Sequence, residues 1–237
     1  MSGGIDSAVV STLCANTGIV TRVVTMPIRQ NKKTHERSLR HIEWLFNKLS
    51  DEKSVAQCTG SLLHLNIDLT NTFAVFEKQL RLAGQDSELA FANSRSRLRM
   101  MTLYQIAQSN NGIVVGTGNK VEDFGVGFFT KYGDGGVDIS PIADLTKTEV
   151  WAMGRELGII EDIINAPPTD GLWDDGRDDE DQLGMNYTEL EQAMMLDESQ
   201  LIPNNKQDKK NLIHYRKLRA KNLHKMMPIP VFKKSSD

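Results

Sequence analysis

Ser2-Gly3-Gly4-Ile5-Asp6-Ser7, running straight into Ala8-Val9-Val10-Ser11-Thr12-Leu13, is the most informative stretch of the chain. Two adjacent glycines let the backbone turn sharply with no side chain in the way, and the apolar run behind them reads as a helix. The amides of the turn and of the helix start then face an anion, which makes the segment a phosphate cradle. A Gly-Gly pair alone recurs by chance; the flanking serines, Asp6 and the apolar helix make this one specific. The loop lacks the Gly-Lys-Ser/Thr ending of the common NTPase phosphate loop, so it carries no lysine to hold a transferring γ-phosphate.

Outward from this loop, short β-branched runs alternate with longer stretches of helical period. Thr21–Met26, Leu62–Ile67 and Ile113–Gly116 read as successive strands, and the alternation predicts an α/β fold, an open parallel sheet with helices on both faces. Between them, Leu39, Ile42, Leu45, Phe46 and Leu49 form one apolar helical stripe, and residues 87–109 repeat the pattern less cleanly. Thr146-Lys147-Thr148-Glu149 and Thr188-Glu189-Leu190-Glu191 have capping-box spacing and predict two further helix starts. Residues 166–184, with two prolines and an acidic run, read as a loop whose length suits a lid. The basic stretch from Asn204 to Lys225 is helical in period and is stopped by Pro228 and Pro230.

The chain has 237 residues, 39% hydrophobic and 25% charged, enough for one domain over residues 1–237 with a sizeable core. Lys and Arg number 28 against 31 Asp and Glu, a net charge of −3 that leaves no basic excess for long nucleic acid or an anionic membrane. Cys14 and Cys58 are too few for a disulfide framework and lack metal spacing. No apolar run approaches a membrane span and no secretory signal opens the chain, so a cytoplasmic protein is expected. The histidines show no paired ligand spacing, so zinc is not indicated.

A second functional stretch is Val114-Val115-Gly116-Thr117-Gly118-Asn119-Lys120-Val121-Glu122-Asp123, where a strand ends at Gly116. Ligands of open α/β sheets gather at the carboxyl ends of strands, which would put the Thr117 hydroxyl and the Glu122 carboxylate in the cleft. The string Gly127-Phe128-Phe129-Thr130-Lys131-Tyr132-Gly133-Asp134-Gly135-Gly136-Val137-Asp138 follows.

The opening loop resembles the PP-loop of the ATP pyrophosphatases, Ser-Gly-Gly-x-Asp-Ser, whose fold is of the adenine nucleotide alpha hydrolase type. With the Gly127–Asp138 string, the chain resembles the ammonia-dependent NAD synthetases over nearly its whole length. Asn93–Met100, Asp144–Lys147, Pro168–Leu172 and His224-Lys225 add matches. The resemblance implies adenylation of nicotinic acid adenine dinucleotide (deamido-NAD) by ATP, then attack of ammonia to give NAD, AMP and pyrophosphate. It makes Ser2, Gly3, Gly4, Ile5, Asp6 and Ser7 the pyrophosphate loop, with Asp6 and Glu122 as Mg²⁺ ligands. Thr117, Lys147 and Thr169 match ATP contacts; Arg97, Lys131, Asp138, His224 and Lys225 match positions that hold deamido-NAD. Asp6, Glu122 and Lys147 would carry the catalysis by neutralising charge, since ammonia itself is the nucleophile. Arg99, two residues on from Arg97, points elsewhere on a helix and carries less weight.

The family places a helical segment and a strand ahead of the Ser-Gly-Gly turn, whereas Met1 directly precedes Ser2 here. A first strand missing from the N-terminus is therefore expected, with ATP affinity and stability lower than in a version with that segment restored. The resemblance also implies a C2 homodimer and free ammonia as nitrogen donor. Two rivals stand: another PP-loop amidotransferase, against which the Phe128–Asp138 string argues, and a catalytically impaired nucleotide-binding protein, which ATP binding without AMP formation would select.

Overall fold

Five residues rich in β-branched side chains, Thr21–Thr25, form strand β1, and Leu62–Asn66 form β2. In the computed structural model, which describes residues 1–51, 61–169 and 179–234, the two strands pair in parallel with Thr21 opposite Leu62 and Thr25 opposite Asn66. Successive side chains of a strand point to opposite faces, and β1 shows this directly. Val23 packs with Ala15, Ile42, Leu45 and Leu49 on one side. Val24 packs with Leu69, Phe73 and Phe91 on the other. The first side is covered by α1 (Ile5–Asn16) and α2 (Lys32–Asp51), the second by α3 (Thr70–Leu82) and α4 (Glu88–Ser109). The architecture is thus α/β with helices on both faces of parallel strands.

The third expected strand, Ile113–Gly116, is reduced to one parallel bridge between Val115 and Ile139. The Val114 carbonyl accepts from the Asp138 amide and the Gly116 amide donates to the Ile139 carbonyl. The next donor, the Val114 amide, goes to the Asp138 carboxylate at 2.7 Å instead of to a backbone oxygen, and the ladder stops.

Past the bridge, Lys120–Val126 form a seven-residue π-helix capped by Asn119. Helix α5 (Lys147–Glu156) opens with the expected capping box of Thr146 and Glu149. Ile5, Val9 and Val10 of α1 pack against Val150 of α5 and against Ile163 and Ile164 of the short α6 (Glu161–Ile164). The expected loop over 166–184 ends in a turn of helix, α7 (Asp179–Leu183), and its residues 170–178 lie outside the described residues, as does Cys58. Helix α8 (Tyr187–Glu198) is capped two residues ahead of the expected Thr188. Asn186 and Glu189 form the capping box, and Glu191 turns away to accept from the Thr148 amide and hydroxyl. Helix α9 (Lys206–Met226) carries the basic C-terminal stretch. The π-helix, α7, α8 and α9 share a second apolar cluster built on Val121, Leu183, Tyr187, Leu190 and Tyr215. No described helix is long and apolar enough to cross a membrane.

Candidate active site

The glycine turn is held by its own serines. The Ser2 amide donates to the Ser7 hydroxyl at 3.2 Å, the Ser7 hydroxyl donates to the Gly4 carbonyl at 3.0 Å, and the two hydroxyls lie 2.9 Å apart. Gly3 sits at φ +91°, and a Cβ there would meet the Thr34 carbonyl oxygen at 2.6 Å, so only glycine fits. Arg37 on α2 donates to the Gly3 carbonyl at 2.7 Å and fixes the turn from outside. Gly4 is the N-cap of α1 and provides no side-chain cap of its own. Ile5 is buried in the core, which anchors the loop and turns Asp6, one residue on, toward the cleft.

There Asp6 meets two residues from distant parts of the chain. The Lys147 ammonium donates to Asp6 Oδ2 at 2.7 Å and to Glu122 Oε1 at 2.9 Å. Lys147 is 2% exposed, so this is a buried cation held between two carboxylates. Burial alone would push its pKa down, but the charges of Asp6 and Glu122 outweigh that and hold it above the ordinary lysine value. The ammonium also lies 5.1 Å from the Tyr187 ring centroid and 6.0 Å from that of Trp151. Glu122 comes to this position because Asn119, fully buried, caps the π-helix by accepting from the Val121 and Glu122 amides. Thr117 lies just upstream in the same connection, and Thr169 is the last described residue before segment 170–178.

Among the described residues no group of three or more His, Cys, Asp or Glu side chains could form an all-protein metal cage. Two carboxylates beside a glycine turn at a helix start are oxygen donors that suit a magnesium ion sharing its coordination with phosphates and water. The residues present fit such an ion.

The other predicted residues assemble around the Gly127–Asp138 segment. Arg97 on α4 donates to the Lys131 carbonyl at 3.2 Å, and the Lys131 ammonium donates to the His224 carbonyl at 2.7 Å. Lys225 donates to the carbonyls of Gly127 and Phe129, both at 2.8 Å. Asp138 stands apart from these four, accepting from the Tyr104 hydroxyl at 3.1 Å and from the Val114 amide. Arg99 takes a different direction from Arg97, donating to the Met26 carbonyl at the end of β1. Its guanidinium is buried there, which lowers its pKa to about 10.

The NAD synthase family model matches residues 1–235. The chain belongs to the NAD synthase family. It is 38% identical over 202 residues to the NH(3)-dependent NAD(+) synthetase of Carboxydothermus hydrogenoformans, covering 84% of this chain and 76% of that one. It is 39% identical to the same enzyme of Archaeoglobus fulgidus, covering 83% and 73%. Among solved structures, the NMN synthetase of Francisella tularensis superposes with a TM-score of 0.81 at 29% identity, over 99% of this chain and 87% of that one. The NH3-dependent NAD synthetase of Campylobacter jejuni gives 0.73 at 25% identity, over 98% and 87%.

The site of this NAD synthase also contains residues that sequence reasoning passed over. Asn119 stood inside a quoted motif, and an Asn ahead of an acidic helix turn is a cap signal. Asp123 follows Glu122 and lies against Gly118, where a Cβ would approach its Oδ2 to 2.1 Å. Burial, then the charges of Asp134, Glu122 and Asp6, push its pKa well above the carboxylate range. Tyr187 donates a short hydrogen bond to Glu122 Oε1; no local sequence signal links two residues so far apart in the chain.

Proposed function

We infer that this NAD synthase makes NAD in the cytoplasm from deamido-NAD and free ammonia, with ATP converted to AMP and pyrophosphate through an acyl-adenylate. The observation that carries the reading is the Asp6–Lys147–Glu122 cluster set at the mouth of a serine-knit glycine turn. Adenylation brings a substrate carboxylate against the α-phosphate of ATP, two anions that repel until cations screen them. Asp6 and Glu122 would hold Mg²⁺, which when bound supplies positive charge to the phosphates.

The chain's own groups account for the rest. The Gly3 amide and the first amides of α1, from Ile5 to Ser7, are the hydrogen-bond donors for the leaving pyrophosphate, while the Ser2 and Gly4 amides are held by the serine hydroxyls and shape the turn. Lys147 is a preformed buried cation for the developing charge, and Thr117 and Thr169 are polar contacts for the nucleotide. Arg97, Lys131 and His224, joined through main-chain carbonyls, and Lys225, seated on the Gly127 and Phe129 carbonyls, bind the dinucleotide, with Asp138 accepting from a ribose hydroxyl. Ammonia needs no protein nucleophile, only a positioned acyl-adenylate. A C2 homodimer belongs to this reading. A monomer by light scattering at micromolar concentration would remove the homodimer from it.

The deciding experiment incubates the protein with ATP, Mg²⁺, ammonium and deamido-NAD and quantifies NAD and AMP by chromatography. Equimolar NAD and AMP are expected. ATP binding without AMP would replace the reading with a non-catalytic one. Because one structural neighbour is an NMN synthetase, the mononucleotide substrate is run in parallel, and its preferential turnover would overturn the assignment of the dinucleotide.

A further inference from the structure

Glu122 Oε1 receives two protein donors, the Lys147 ammonium at 2.9 Å and the Tyr187 hydroxyl through a shorter bond. Among the described residues none donates to Oε2. Oε1 is thus pinned by two protein donors, which fixes the plane of this carboxylate. Tyr187 is well placed to pin it. The residue is 2% exposed, its ring meets Trp151 edge-on at 5.6 Å, and its backbone amide donates to Glu180 on α7 at 3.1 Å. The phenol is therefore located by contacts on its ring and its backbone, independently of Glu122.

We propose that Tyr187 is a positioning residue for Glu122, fixing the orientation of that carboxylate toward the cation that accompanies ATP and coupling α7 and the start of α8 to the metal site. The proposal rests on the reading of Asp6 and Glu122 as the cation-binding pair. It follows from a general property of metal sites: partners that orient a ligating carboxylate govern affinity without touching the ion, and losing one weakens binding by about 10–100-fold.

The test is a Mn²⁺ titration followed by electron paramagnetic resonance, with ATP present and dinucleotide absent, on the wild type, Asp6→Asn, Tyr187→Phe and Tyr215→Phe. Tyr215 is the control: it is 1% exposed, sits in the same apolar cluster, and its hydroxyl faces Arg219 rather than the carboxylates. Tyr187→Phe should weaken Mn²⁺ binding by roughly 10–100-fold and raise the Mg²⁺ concentration needed for half-maximal rate. Tyr215→Phe should lower the melting temperature by a similar amount and leave both quantities unmoved. Equal Mn²⁺ affinity in wild type and Tyr187→Phe overturns the positioning role alone, as does equal weakening in both tyrosine variants. Failure of the wild type to bind Mn²⁺ with ATP, or retention of binding by Asp6→Asn, overturns the metal reading and the proposal with it. If Tyr187→Phe does not fold, Glu180→Gln, which loosens the seat of the tyrosine backbone, takes its place: weakened Mn²⁺ binding supports the role and unchanged binding overturns it.

Discussion

The side-chain amide of Asn119 lies 3.2 Å from Asp6 Oδ1, donating to it, while its own oxygen accepts from the two amides that open the turn carrying Glu122. One buried side chain thereby sets the spacing of two carboxylates that are more than a hundred residues apart in the chain. Asn119→Ala should cost about 1–2 kcal/mol of stability, the usual worth of a helix cap, and lower NAD formation by about 10–100-fold. Urea unfolding and the coupled NAD and AMP assay check the two parts separately. Full activity in a destabilised variant would make Asn119 a cap and nothing more.

Removing Lys147 takes the counter-charge from Asp6 and Glu122 and leaves them only neutral donors. Lys147→Met should destabilise the fold by about 3 kcal/mol in the absence of divalent cation, the scale of breaking a buried ion pair. Added Mg²⁺ should restore part of that loss, because a cation can then occupy the space between Asp6 and Glu122. A urea midpoint that does not respond to Mg²⁺ would count against the two carboxylates sharing an ion.

Gly3→Ala puts a methyl group 2.6 Å from the Thr34 carbonyl at a backbone angle of φ +91°. The strain should cost about 1–3 kcal/mol and deform the turn proposed above to hold the pyrophosphate. ATP affinity by calorimetry should fall at least tenfold, with deamido-NAD affinity less affected. Equal loss for both ligands would mean that the change is global and not confined to the turn.

His41 sets an acid limit on the fold. It is fully buried, its ring stacks on Trp44 at 5.2 Å, Nε2 lies 3.2 Å from the Ser11 hydroxyl, and Nδ1 has no hydrogen-bond partner among the described residues. Burial lowers its pKa from 6.5 to about 4; the Met1 ammonium adds to this and the Ala8 carbonyl opposes it. The unfolded chain therefore takes up a proton before the folded one does. This contribution is complete above pH 6.5 and is lost as pH falls from 6.5 toward 4, by about 2 kcal/mol between pH 8 and pH 5. Urea unfolding of wild type and His41→Phe at both pH values checks this: the variant should show a pH dependence smaller by that amount.

Much of this was legible in the sequence. Runs such as Arg22-Val23-Val24 and Leu62-Leu63 announce strands because a half-buried pleat selects those side chains, and Thr146 with Glu149 announces a helix because a capping box is local. The run at Ile113–Gly116 misleads, because what ends its ladder is the Asp138 carboxylate, a tertiary partner with no local signature. The cap of α8 misleads likewise: both Asn186 and Thr188 have an acidic residue three positions on, and only the contact of Glu191 with Thr148 on another helix decides between them. At the site, Asp6 and Glu122 stood in recognisable motifs. The pairing of Lys147 with both carboxylates has no local signal, and Tyr187 and Asn119 likewise act across long sequence separations that no spacing rule reaches.

The π-helix that presents Glu122 is closed from outside by the last helix of the chain. Arg219 donates to the carbonyls of Phe124 and Gly125, Asn222 to that of Val126, and Lys225 to those of Gly127 and Phe129. During synthesis the turn leaves the ribosome some 95 residues before the side chains that satisfy it. The seat of Glu122 is therefore closed only by side chains made after it, and a nascent chain halted before α9 holds the glycine turn and Asp6 without the donors that close the π-helix.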